Sequence, residues 1–194
     1  MAAVVFVTTS LLTWLPSYFE KVRGIPQETA GKMASSIMVL ALIGAPLGGY
    51  LTDLWRKSKV NARLLFPAVS TLFAAVTLFL ALVVFKGTIQ YVVFLIFGVS
   101  VISFISGAAA VTQDVIHPGL RATSYAIAVV IQNLLGASTA PVVLGKIYDL
   151  TNIQTALSIL PFILVIGAIL FWLGSKHYEK DLTKVAQIRL EAAL

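Results

Sequence analysis

The chain has 194 residues, 59% of them hydrophobic and only 11% charged, with a net charge of +6. A water-facing surface normally needs about 25% charged residues, and a chain of this size leaves about a quarter or more of its surface outside after folding, so a soluble domain is excluded and a lipid-embedded one is indicated. The basic residues occupy short gaps between apolar runs instead of one face, which excludes a nucleic-acid footprint. The absence of cysteine excludes disulfides and thiolate metal sites.

A membrane-crossing helix needs about 20 largely apolar residues. Six runs meet that test, roughly 2–19, 33–52, 64–85, 90–112, 122–148 and 155–175. Lipid requires such runs to be helical, because an extended strand would leave its backbone polar groups unpaired. No stretch alternates polar and apolar residues as a barrel strand does.

The first run carries Thr8, Thr9, Ser10, Thr13, Trp14, Ser17 and Tyr18. It has no basic leader of the kind a signal peptide shows. It also starts at Met1 without a polar flank, which reads as a chain whose preceding segment is missing through truncation or a split gene. The second run contains Gly44-Ala-Pro-Leu-Gly-Gly49, small residues spaced for close helix contact, with Pro46 as a possible bend. The third has only Ser70, Thr71 and Thr77 as hydroxyls, and the fourth has Ser100, Ser103, Ser106 and Thr112. The fifth holds Gly136-Ala-Ser-Thr-Ala140, together with Gln132 and Asn133. An amide at mid-membrane depth needs a wet cavity or a helix–helix hydrogen bond. The sixth is apolar from Ile159 to Leu173. The chain therefore divides into a six-helix bundle, 1–175, and a charged tail, 176–194. The tail's apolar positions Tyr178, Leu182, Val185 and Ile188/Leu190 suit a short helix on the membrane surface or a solvated stub.

Alternate gaps hold nine lysines and arginines on one side and five on the other. The richer side is expected to be cytoplasmic, with both termini inside, in a plasma or inner membrane. Gly49-Tyr-Leu-Thr-Asp53 and Gly145-Lys-Ile-Tyr-Asp149 lie 96 positions apart, each after a proline, Pro46 or Pro141. An odd number of crossings separates them, as in the three-plus-three inverted repeats of secondary transporters.

The segment from Gly49 through Asp53 to Arg63 resembles the major facilitator superfamily signature Gly-x-x-x-Asp-Arg-x-Gly-Arg-Arg, with Leu54 at the expected basic position and Arg56 where glycine usually sits. Degenerate copies of this kind are typical of the second half. Trp14-Leu-Pro-Ser-Tyr-Phe19 with Gly24-Ile-Pro-Gln is similar to the seventh helix and its loop, and Ile116-His-Pro-Gly-Leu-Arg-Ala-Thr123 to the approach to the eleventh. Within the superfamily the resemblance leans to Spinster-like and organic-anion transporters.

The resemblance implies an all-α membrane protein, the C-terminal half of a twelve-helix fold, moving a small organic solute such as an organic anion or lipid-like molecule by alternating access. Its partners would be the bilayer, the substrate, and the missing N-terminal half or a second copy. It further implies a cytoplasmic gate at Gly49, Asp53, Arg56, Lys57, Asp114 and Arg121. Helices one and four would line the cavity, with two and five beside them and three and six facing lipid, so Thr9, Thr13, Trp14, Ser103, Gln132 and Asn133 are the expected substrate-binding residues. Trp14 equally suits an interfacial anchor, and the hydroxyls suit bonds to their own helix. No cofactor or metal is expected. A non-transporting scaffold or receptor derived from a half-transporter is the alternative, as is a unit working as a homodimer. An intramembrane serine protease is disfavoured, because His117 and His177 lie in a loop and in the tail, out of reach of any buried serine. No ionisable residue lies deep in a run, so a proton-coupling group would belong to the missing half.

Overall fold

The structure, a computed structural model, describes residues 1–191, with side-chain surroundings through residue 185. Among the described residues the chain is all helical. Six transmembrane helices follow one another: span 1 (Ala2–Arg23), span 2 (Gln27–Arg56), span 3 (Ala62–Val84), span 4 (Gly87–Asp114), span 5 (Pro118–Leu150) and span 6 (Ile153–Ser175). A tail helix, Tyr178–Glu191, follows. Spans 2, 4 and 5 run beyond the apolar stretches at their ends, because a helix satisfies its own backbone and can continue through Glu28 or Arg56 into water.

Span 1 is the hub. Val4, Val7, Leu11, Leu15 and Tyr18 are each at most 1% exposed, and their spacing of three and four places them on one stripe. That stripe meets spans 2, 5 and 6. Near its far end Tyr18, Phe19 and Phe94 form an aromatic cluster, with ring centroids 5.6 to 6.4 Å apart. Spans 3 and 6 run antiparallel in an extensive helix–helix contact: Gly167 faces Thr71, and Gly174 faces Leu64.

Spans 2 and 4 cross at near-contact of their backbones. A methyl group on Gly44 would overlap the Val99 carbonyl, and one on Gly48 would overlap the Ser103 carbonyl. Glycine is the residue type that permits this approach. Span 5 lies on span 1 in a related way, with Gly136 against Ala2 and Phe6 and Gly145 against Trp14. The small-residue stripes of spans 2 and 5 thus seat on spans 4 and 1, equivalent contacts under exchange of the two triplets. Span 2 remains helical through Pro46.

Several spans are irregular. Span 3 ends in a π turn, Leu80–Val84, closed by Phe85 N–H to Leu80 O at 2.9 Å. Span 4 tightens at Ser103, whose N–H donates to the Ser100 carbonyl at 3.3 Å while its backbone stays helical. Span 5 contains a π turn at Asn133–Ala137, closed by Ser138 N–H to Asn133 O at 2.9 Å. Pro141 follows and has no N–H to offer the Ala137 carbonyl, which favours rearrangement of the turn before it. Spans 2 and 5 are the least enclosed of the six, span 5 most of all. Spans 3 and 6 each bury one face against the other and turn apolar side chains such as Phe73 and Leu170 outward.

Candidate functional site

Two groups of polar residues stand out, one at the end of the bundle that carries Arg63 and one along the contact of spans 1 and 5. The first forms because span 3 starts where span 4 ends. Gly107 brings span 4 against the Arg63 carbonyl and Pro67, so the Arg63 guanidinium reaches Asp114, the last residue of span 4. Arg63 Nη1 donates to Asp114 Oδ2 in an ion pair. The Tyr178 hydroxyl donates to the same oxygen at 2.6 Å. Tyr178 is 2% exposed, so the first residue of the tail helix is docked into the bundle. The apolar tail pattern therefore has a structural role at Tyr178. Leu182 and Val185 are half-buried, whereas the surroundings of Ile188 and Leu190 lie outside the described residues.

Burial, and secondarily the Asp114 carboxylate, push the Tyr178 phenol up to about 12. Its unfolded value is about 10. The stability linked to this shift is complete below pH about 10 and is lost as pH rises through about 12. Throughout the physiological range Tyr178 is a neutral donor to Asp114. We expect Asp114→Asn to move this ionisation part of the way back towards 10, since burial, the larger cause, remains. The measurement is phenolate absorbance near 295 nm against pH, with the signal of a Tyr178→Phe variant subtracted. An unmoved Tyr178 titration would count against the contact.

The other expected gate residues are placed differently. Gly49 packs against the Ser106 hydroxyl, 3.3 Å from where its Cβ would stand. Asp53, Arg56 and Lys57 are exposed and make no ion pair among the described residues. Arg121 begins the main helix of span 5, half-buried, with its Nε enclosed and without an acceptor. Of the six residues, then, only Asp114 enters a charged cluster. Its partners are Arg63 and Tyr178. Arg63 belongs to the basic run after Gly49, but nothing local in the sequence distinguishes it from Arg56 or Lys59.

The second group lies where span 5 runs alongside span 1. Trp14 is half-buried against Gly145 and meets the Tyr148 ring edge-on at 5.5 Å. Its indole Nε1 is buried without an acceptor. The Tyr148 hydroxyl accepts from Lys21 Nζ at 2.9 Å, and these two residues were not marked by the sequence. Thr13 is exposed and donates to the Thr9 carbonyl at 2.9 Å. Gln132, one turn before Gly136, has its Oε1 buried without a donor. Asn133 is exposed and donates to the Val129 carbonyl of its own helix at 2.8 Å. Ser103 lies apart from these five. It is buried in the crossing of spans 2 and 4 and bonds back to the Val99 carbonyl at 2.9 Å.

Residues 1–141 match the family model of the Major Facilitator Superfamily. The chain is 26% identical over 214 residues to the sphingosine-1-phosphate transporter SPNS2 of Danio rerio, covering 96% of this chain and 42% of that protein. It is 30% identical over 162 residues to protein spinster homolog 1 of Homo sapiens, covering 76% of this chain and 31% of that protein. The chain thus spans less than half the length of these relatives. Its fold is that of a bacterial homolog to the human lysosomal transporter Spinster, in an inward-facing and occupied conformation, with a TM-score of 0.77 at 19% identity over 93% of this chain and 48% of that one. The unoccupied form of that homolog gives 0.75. Superfamily members are transporters, not enzymes. With six transmembrane helices, the matched model and half of a Spinster-type fold, the chain belongs to the Major Facilitator Superfamily.

Proposed function

We propose that the chain is the C-terminal six-helix half of a secondary transporter, which moves an amphipathic organic anion or lipid-like solute by rocking against a second six-helix unit. That unit is an N-terminal half or a second copy of this chain. The observation that carries the reading is the face made by spans 1 and 5, where Trp14 Nε1 of span 1 and Gln132 Oε1 of span 5, the least enclosed span of the bundle, are buried without partners among the described residues. Buried polar atoms without partners are costly, and a substrate or water in a shared midplane cavity would satisfy them. The apolar surroundings and the lack of a deep ionisable group among the described residues suit a solute that is itself largely apolar. The name of the SPNS2 relative, a sphingosine-1-phosphate transporter, supports the same class. The excess of basic residues around Arg56 to Arg63 argues for that end in the cytoplasm of a plasma or inner membrane, with both termini inside.

The contact of Arg63, Asp114 and Tyr178, with Asp53 turned outward for a partner on the other unit, is read as the cytoplasmic gate. The test is uptake of a panel of alkyl phosphates and carboxylates into vesicles containing the native assembly. Saturable flux is expected, reduced about tenfold or more in Gln132→Leu through loss of an amide contact. Flux of no panel member would overturn the transport reading. Unchanged rates in Asp53→Asn would remove Asp53 from the gate.

A further inference from the structure

At the end of the bundle opposite Arg63, spans 1, 2 and 4 enclose a recess of about 440 Å³. It shares no residue with the face of spans 1 and 5. Phe19, Ile25 and Met33 supply apolar walls, and Arg23, Thr88 and Gln90 supply polar ones. Among the described residues Arg23 is the charged residue of the lining, and no carboxylate lines the recess with it. Among the described residues Arg23 makes no ion pair.

The guanidinium is fixed in place. Nη2 donates to the Tyr18 hydroxyl at 3.0 Å, and the group lies 5.6 Å from the centre of the Tyr18 ring. Gln90, 2% exposed, donates to the same hydroxyl at 2.9 Å and to the Ala81 carbonyl at 2.6 Å. That carbonyl lies in the π turn of span 3. Tyr18 therefore already receives two donors, yet Arg23 Nε remains buried with no acceptor. A guanidinium carries five N–H donors in a planar fork that matches an oxyanion, and one neutral phenol does not complete it. Span 4 also begins at this recess, at Gly87, without a side-chain cap, which adds positive potential to that of Arg23.

The geometry points to a binding site for the anionic headgroup of an amphiphile, a phosphate or a carboxylate, held by Arg23 and Thr88 with the first carbons of its chain on Phe19, Ile25 and Met33. The site stands on the recess alone and does not rest on transport. Two sources offer this chemistry: a lipid of the adjacent leaflet and a free alkyl anion.

The experiment is native mass spectrometry of the native assembly in dodecyl maltoside, titrated in separate arms with dodecyl phosphate and with a phosphatidylglycerol. Wild type is expected to retain an adduct. Arg23→Gln should weaken it about tenfold or more, and Arg23→Lys, which keeps the charge but not the planar fork, should weaken it by less than Arg23→Gln. Met33→Trp keeps the charge but fills the recess, and it should weaken binding as well, so it decides the matter if Arg23→Gln does not fold. Adducts of dodecyl phosphate alone identify a free amphiphile, adducts of phosphatidylglycerol alone a leaflet lipid, and both a shared headgroup site. No adduct of either anion, or adducts of equal strength in Met33→Trp and wild type, would overturn the proposal.

Discussion

Gly48→Leu is expected to leave no folded, monodisperse protein after mild detergent extraction, whereas Gly31→Ala should be silent or slightly stabilising. The two glycines lie on the same span and differ in what a side chain would meet. At Gly48 a Cβ overlaps the Ser103 carbonyl and crowds the Ser103 Cα, and at Gly44 it overlaps the Val99 carbonyl. Those obstacles are backbone, so no rotamer change can clear them. Relief requires spans 2 and 4 to separate along their whole crossing, which would also open the packing of Ile37 against Gly98. Overpacking a core costs about 1–3 kcal/mol when side chains can yield, so Gly48→Ala should cost at least about 3 kcal/mol and the leucine more. Domains have only about 5–15 kcal/mol in total. Gly31 has ordinary helical backbone and nothing within 4 Å of its virtual Cβ. Alanine there reduces unfolded-state freedom, worth about 0.4–1 kcal/mol in favour of folding. Size-exclusion profiles and thermal midpoints of the two variants give the comparison, and similar profiles for Gly48→Ala and Gly31→Ala would refute the crossing geometry.

The glycines of spans 2 and 5 were legible as small-residue stripes, but their partners were not. A stripe shows that a helix can be approached closely and is silent on which helix approaches. That choice depends on how six helices share one cross-section, and the answer, span 2 on span 4 and span 5 on span 1, appears only in three dimensions. Hydropathy gave the number of transmembrane helices, six, because lipid imposes a minimum apolar length. It could not show the tightened turn at Ser103, where serine and its apolar neighbours look like any other part of the run. The π turn at Asn133–Ala137 had a readable cause, Pro141, but a proline at Pro46 leaves its helix continuous. The outcome depends on what neighbouring spans allow.

The candidate site was legible in part for a related reason. The resemblance of the Gly49–Arg63 segment drew attention to Asp53, yet the charge contact forms at the far end of that segment, through Arg63, because the antiparallel meeting of spans 3 and 4 brings Asp114 there. Tyr178 is 64 positions from Asp114, and no local pattern links them. Of the residues expected to bind substrate, Trp14 and Gln132 carry the buried unpartnered atoms. Ser103 was chosen for its hydroxyl, and a buried serine more simply returns that hydroxyl to its own helix.

Asp114→Ala is expected to be the most costly single change at this end of the bundle, about 3 kcal/mol by analogy with other broken buried pairs. The side chains of Arg63 and Asp114 are 16% and 20% exposed, so the pair is largely withdrawn from water. Removing the carboxylate leaves a half-buried guanidinium without its counter-charge and the Tyr178 hydroxyl without its acceptor. Tyr178→Phe removes one hydrogen bond to a charged group and should cost about 1.5–3 kcal/mol, releasing the start of the tail helix. The double variant Arg63→Met with Asp114→Leu removes both charges while retaining volume, and it should recover the part of the stability that Asp114→Ala loses through the unpaired guanidinium, though not the part lost with the Tyr178 hydrogen bond. That recovery separates two roles for the cluster. If its work is only to hold the tail and spans 3 and 4 together, the double variant transports at the wild-type rate. If the pair must form and break as the halves rock, the double variant folds and its flux is lost. Unfolding midpoints of the three variants, read beside vesicle flux from the same preparations, measure both quantities. A change below about 0.5 kcal/mol for Asp114→Ala would place the pair among solvated surface contacts, and the gate would then have to lie at Asp53 or Arg121.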